Sequence, residues 1–118
     1  LLLRSRGANV YKYVFNHTTA CTAWGRYIGA TRGEDLFYLL GSPHECNFPI
    51  SFSCEEKSFS LGIIWYFTQF ARIGTPNRNW KPYTLGNEEY ALLQIPNPIM
   101  QEGFRKEQCA ALDTILSS

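Results

Sequence analysis

The chain has 118 residues, 45% of them hydrophobic and 15% aromatic, with a formal net charge of +1; this is the composition of a globular protein and excludes a disordered tail. No long block of basic residues occurs, so the electrostatic footprint of a nucleic-acid or anionic-membrane binder is missing. The longest apolar run, Ile63 to Phe67, falls far short of the roughly 20 residues of a membrane span.

A chain of this length suffices in principle for one small domain. It does not open on Met, however, and its LLLRSR start runs into a strand-like segment without a turn signal. The alternating βαβ units that an α/β fold needs for its own sheet are also absent. It therefore reads as residues 1–118 of a longer domain.

Val10 to Phe15, VYKYVF, is rich in β-branched and aromatic residues with apolar side chains on both faces, which predicts a central strand covered on both sides. From Asn16 to Arg32 no period is sustained, so a long loop follows, anchored by burial of Trp24 and Tyr27. The loop either lines the mouth of a pocket or packs as ordinary surface. Its first residues, Asn16-His17-Thr18, form a glycosylation sequon that fits a secreted or extracellular chain.

Glu34 to Leu40 predicts a short helix with an acidic first turn, stopped by Gly41, Ser42 and Pro43. Ser53 followed by Glu56 is a capping box opening the longest helix, about Cys54 to Ile73. Phe59, Ile63, Phe67 and Phe70, flanked by Ile64 and Tyr66, give that helix one wide apolar stripe, and Gly74 ends it. Trp80 to Leu85 and Glu89 to Ile95 read as a hairpin around Gly86-Asn87, with Pro82 marking the first run as an edge strand. A last helix, about Glu102 to Leu116, sets Phe104, Cys109, Leu112 and Ile115 toward one docking side.

The four cysteines, Cys21, Cys46, Cys54 and Cys109, include no CxxC pair and stand beside only two histidines, so no metal site is expected. No cofactor motif occurs. Disulfides are the better reading: Cys46 and Cys54 bracket a loop around Pro49, and closing it is worth about 2 to 3 kcal/mol.

Taken in order, these segments resemble the C-terminal part of the carboxylesterase and cholinesterase family of α/β-hydrolases. VYKYVFNH (10–17) is similar to the family's strand ending in an aromatic, Asn or Glu, and His. GATRGEDLFYLLG (29–41) resembles the catalytic-histidine loop. EEKSFSLGIIWYFTQFARIGTPN (55–77) resembles the long helix and its exit, followed by WKPY (80–83) and a final hairpin, and FRKEQCAALDTIL (104–116) resembles the terminal helix with its single cysteine. The resemblance implies a mixed, mostly parallel central sheet flanked by helices, of which this chain is the C-terminal segment.

It also implies a serine and an acid upstream, with a histidine in the loop as the proton shuttle. The histidine's place is taken by Arg32. A guanidinium has no acceptor lone pair and keeps its proton, so it cannot serve as a general base. His17 matches a structural histidine of the family, His44 lies beyond the short helix, and the acidic pairs Glu34-Asp35 and Glu55-Glu56 suit helix caps. The resemblance thus points to a member that is not an enzyme.

Arg at this position and the added Cys46 to Cys54 loop resemble most the non-catalytic adhesion members of neurotactin type. This implies the ectodomain of a single-span membrane protein whose partner is a secreted immunoglobulin-domain protein such as amalgam. It further implies a bond from Cys109 to a cysteine upstream of Leu1, leaves Cys21 without an assigned partner, and makes the terminal helix a possible dimer contact. The rival expectations are a hydrolase using an unidentified base and a structural or precursor domain of thyroglobulin type.

Overall fold

The computed structural model describes residues 6–22 and 25–118. Its backbone is organised by helix α2 (Cys54–Ile73), whose ends are chemically fixed. Ser53 lies outside the helix with extended backbone; its hydroxyl accepts from the Glu56 amide at 3.1 Å, and the Glu56 carboxylate accepts from the Ser53 amide at 2.8 Å. That reciprocal pair satisfies two of the amide donors a helix start leaves open. At the other end Gly74 turns left-handed, at φ 77°, and gives its N–H to the Phe70 carbonyl. The bounds and both caps are those expected from sequence.

Helix α1 (Glu34–Leu39) packs on α2 through Tyr38, which is wholly buried, and the Ser60 hydroxyl donates to the Tyr38 carbonyl at 2.6 Å. Beside both helices lies a three-stranded sheet of β1 (Tyr13–Phe15), β2 (Glu89–Leu93) and β3 (Ile99–Glu102), in that spatial order. β1 runs parallel to β2, with Tyr13 opposite Ala91 and Phe15 opposite Leu93; β3 runs antiparallel to β2, with Ala91 opposite Met100. The core is Tyr38, Phe59, Ile63, Trp80, Ala91 and Leu93. Phe15 stacks on Phe59 at 5.9 Å between ring centroids, Tyr13 meets the Phe67 edge at 5.6 Å, and Tyr66 meets Trp80 at 5.6 Å.

Several expectations are corrected. The first strand is shorter than expected, and among the described residues it pairs with β2, the middle one of the three. Residues before Tyr13 still bond across: the Val10 carbonyl accepts from the Tyr83 amide and the Lys12 carbonyl from Ala91. The hairpin lies one step later than expected, between β2 and β3, and turns at Ile95-Pro96, whose peptide bond is cis. Trp80 to Leu85 is not a strand. Pro82 has no N–H to give a ladder, and the segment after it closes into a turn, with the Glu88 amide on the Thr84 carbonyl and the Thr84 amide and hydroxyl both on the Glu89 carboxylate at 2.7 Å. Two of these contacts occupy the backbone carbonyl and amide of Thr84, groups a hairpin ladder would need.

The apolar stripe of α2 runs out before its end: Phe59 and Ile63 are buried, whereas Phe70 is exposed. The terminal helix α3 (Lys106–Ser117) exists, but all its residues are exposed, so Leu112 and Ile115 dock on none of the described residues. Phe104, just before it, meets the Tyr90 ring at 5.5 Å.

Candidate functional site

The loop that follows β1 is held by acceptors rather than by aromatic burial. Tyr27 is 92% exposed and anchors nothing, and Trp24 lies outside the described residues. The fixing points are side chains of α1 and α2. Glu56, on the first turn of α2 and 1% exposed, accepts from the Ala20 amide at 2.7 Å and lies 2.8 Å from His17 Nε2, besides its bond to the Ser53 amide. Its two oxygens therefore gather three donors from three parts of the chain.

Next to it, the Thr19 hydroxyl and the Tyr38 phenol share a buried hydrogen bond of 2.9 Å. Glu34, the first residue of α1, is buried and accepts from the Thr22 hydroxyl at 3.2 Å and the Thr31 amide at 3.3 Å. Asp35 accepts from the Tyr13 phenol at 3.0 Å, tying α1 to β1. Gly33 bends the chain into α1 with φ +90°, a conformation that L side chains rarely adopt.

Charge and burial act in opposition here. Burial pushes the Glu56 carboxyl up, but the hydrogen bonds from His17, Ser53 and Ala20, with the His17 charge, outweigh it and hold the group below the usual carboxylate range. An ionised carboxylate only accepts, so His17 donates its Nε2–H to it. Burial raises the Tyr38 phenol far above its ordinary value; the Thr19 bond opposes this and the Glu56 and Glu34 charges add to it. Both groups keep fixed protonation states across the physiological range.

Arg32 sits between these anchors and shares none of them. It is exposed, and among the described residues its side chain forms no hydrogen bond or ion pair. His17 is the imidazole brought nearest to this loop, and it is enclosed by the rings of Phe15, Tyr38 and Phe59 with centroids at 6.5, 5.8 and 5.7 Å. His44 stands apart on a 3-10 turn with Nε2 3.1 Å from the Lys57 carbonyl. Glu55 is exposed, so of the acidic pair only Glu56 is built into the structure.

Cys21, Cys46, Cys54 and Cys109 are all exposed. Asn16 is exposed at the end of β1. Among the described residues no three His, Cys, Asp or Glu side chains converge to hold a metal ion, and no helix is long and apolar enough to cross a membrane. A groove of about 460 Å³ runs between α2 and the β2–β3 turn, floored by Phe59, Ile63 and Tyr66, but neither Arg32 nor His17 lines it. Sequence reasoning saw Glu56 only as a cap and missed Thr19, Glu34 and Tyr38 as anchors of the loop. The capping box was the one signal that pointed to any of them.

A model of the carboxylesterase family matches residues 1–112, and the chain belongs to that family. It is 32% identical over 108 residues to an acetylcholinesterase of Leptinotarsa decemlineata, covering 89% of this chain and 17% of the relative. It is 32% identical over 93 residues to a bile salt-activated lipase of Bos taurus, covering 73% and 15%, and 32% identical over 110 residues to an acetylcholinesterase of Gallus gallus, covering 89% and 14%. The chain thus spans less than a fifth of the length of these relatives. The family carries the α/β-hydrolase fold, and the mixed sheet with flanking helices described above is this chain's share of it.

Proposed function

We propose that this chain is part of a non-catalytic cholinesterase-like domain, displayed outside the cell on an adhesion receptor of neurotactin type, that binds a protein partner instead of turning over an ester. The observation that carries the reading is Arg32. It stands on the loop resembling the family's catalytic-histidine loop, exposed and unpaired among the described residues, where chemistry requires a group that can accept and return a proton. His17 is engaged with Glu56 and His44 with the Lys57 carbonyl, which supports a structural part for each. The partner of this reading is a secreted immunoglobulin-domain protein such as amalgam, a proposal that rests on the resemblance.

The whole protein, assayed on a chromogenic acyl ester, should show no hydrolysis above background. Arg32→Ala should leave partner binding intact. Arg32→His should stay silent unless serine and acid are both in place elsewhere in the protein. Robust ester hydrolysis blocked by a serine-directed reagent would overturn the proposal.

One observation favours a second reading, that of an active hydrolase with an unusual base, in line with relatives named as acetylcholinesterase and lipase. His17 is an imidazole oriented by a buried carboxylate, two of the three parts of a catalytic triad in kind. The aromatic rings around it argue for a structural post instead. In the same assay this second reading requires activity in the unmodified protein and its loss in His17→Gln.

A further inference from the structure

The sequon at the end of β1 has a structural setting that the sequence alone does not give. Burial deepens along residues 16 to 19: Asn16 is exposed, His17 and Thr18 are half-buried with His17 on Glu56, and Thr19 is buried on Tyr38. The Asn16 backbone is fixed by its amide on the Leu93 carbonyl at 2.9 Å, so its position is set. Its side chain is nearly free, with Nδ2 meeting Gln94 Oε1 only at 3.5 Å. An N-glycosylated amide keeps one N–H, so even that contact survives modification.

The place matters as much as the exposure. β1 and β2 are parallel, and Asn16 and Gln94 are the first residues beyond their carboxyl ends. In α/β sheets the loops leaving this edge are the ones that form ligand sites. Here the same loop leads on to Arg32.

We propose that Asn16 is an N-glycosylation site, whose oligosaccharide stands on the carboxyl edge of the sheet. The inference rests on the extracellular reading above. In the step, Asn16 Nδ2 forms a bond to the anomeric carbon of an N-acetylglucosamine, and the bond from that carbon to a lipid pyrophosphate carrier breaks. The lipid pyrophosphate leaves, and one amide proton is released. A lipid-linked oligosaccharide of the secretory pathway is the donor.

The test uses the whole protein in a eukaryotic secretory host, with surface biotinylation recording its compartment. The tryptic peptide from Tyr13 to Arg26 should carry a glycan, and peptide N-glycosidase should convert its Asn16 to Asp. Asn16→Gln and Thr18→Ala should each lose one glycan-sized increment of mass, while Thr18→Ser should keep it. Sugar is added to the nascent chain, so this readout does not depend on how well a variant folds. An unmodified peptide in protein that reaches the surface overturns this inference alone. An unmodified peptide in protein confined to the cytosol overturns the extracellular reading as well.

Discussion

Removing Glu56 should cost more than removing any other acidic side chain on α2, and the structure says by how much. Glu56→Ala leaves the Ser53 and Ala20 amides and His17 Nε2 without their acceptor, in a place where the carboxylate is 1% exposed. Each donor left unsatisfied costs about 1 to 3 kcal/mol. The losses overlap, because the loop can move to admit water, so about 2 to 4 kcal/mol is expected for the whole change. Glu55→Ala, on the same turn but exposed, should stay within about 0.5 kcal/mol. The assay is the denaturant midpoint of the whole protein, with the slope unchanged.

The difference should also depend on pH with a definite sign. The folded Glu56 carboxyl titrates below its ordinary value, so the unfolded chain takes up its proton first as the solution is acidified. The stabilisation from ionised Glu56 is therefore fully present above its ordinary value of 4.5 and is lost as the pH falls through the folded value. The gap between wild type and Glu56→Ala should narrow as the pH falls below that ordinary value. If Glu56→Ala costs no more than Glu55→Ala at neutral pH, the carboxylate is not the anchor described here.

Three further outcomes follow from other parts of the structure. Tyr38→Phe strands the buried Thr19 hydroxyl and should destabilise by about 1 to 2 kcal/mol, whereas adding Thr19→Val should recover part of that loss, which a double-mutant cycle measures. The Glu89 carboxyl is pulled down to about 2, first by the Thr84 hydroxyl and then, against burial, by backbone amides and Asn87; its contribution is present above its ordinary value of 4.5 and lost as pH falls toward about 2, so Glu89→Gln should weaken the fold at neutral pH and by less in acid. Non-reducing peptide mapping of the whole protein should join Cys46 to Cys54 and leave Cys109 bonded to a cysteine outside this chain. A Cys46 to Cys109 peptide would show that pairing to be wrong.

What could be read in advance divides by the range of the interaction. The caps of α2 are contacts between residues three or four apart, and Ser53, Glu56 and Gly74 announced both ends of the helix. The turn at Thr84 to Glu89 is equally short, yet it was read as a hairpin, because two apolar runs around Gly86-Asn87 imitate one. Only the structure shows the Glu89 carboxylate occupying the Thr84 amide. The anchors of the loop after β1 could not be read at all. His17 and Glu56 lie 39 residues apart, and no period or local motif says that a helix cap will also collect donors from a distant loop.

The aromatic side chains make the same point from the other direction. Tyr27 looked like an anchor because large aromatic residues favour burial, but a phenol ring is buried only where a surface waits for it. Glu56, Glu34 and Tyr38 already hold that loop by its backbone and short polar side chains. The periodic Leu112 and Ile115 of α3 likewise announce an apolar side without saying what it meets. Arg32 differs from all of these, because its argument needs no distant partner. If the resemblance places Arg32 at the proton-shuttle position, as proposed above, a residue type that cannot exchange a proton fails there whatever surrounds it, so the proposal rests on residue identity rather than on a distant contact.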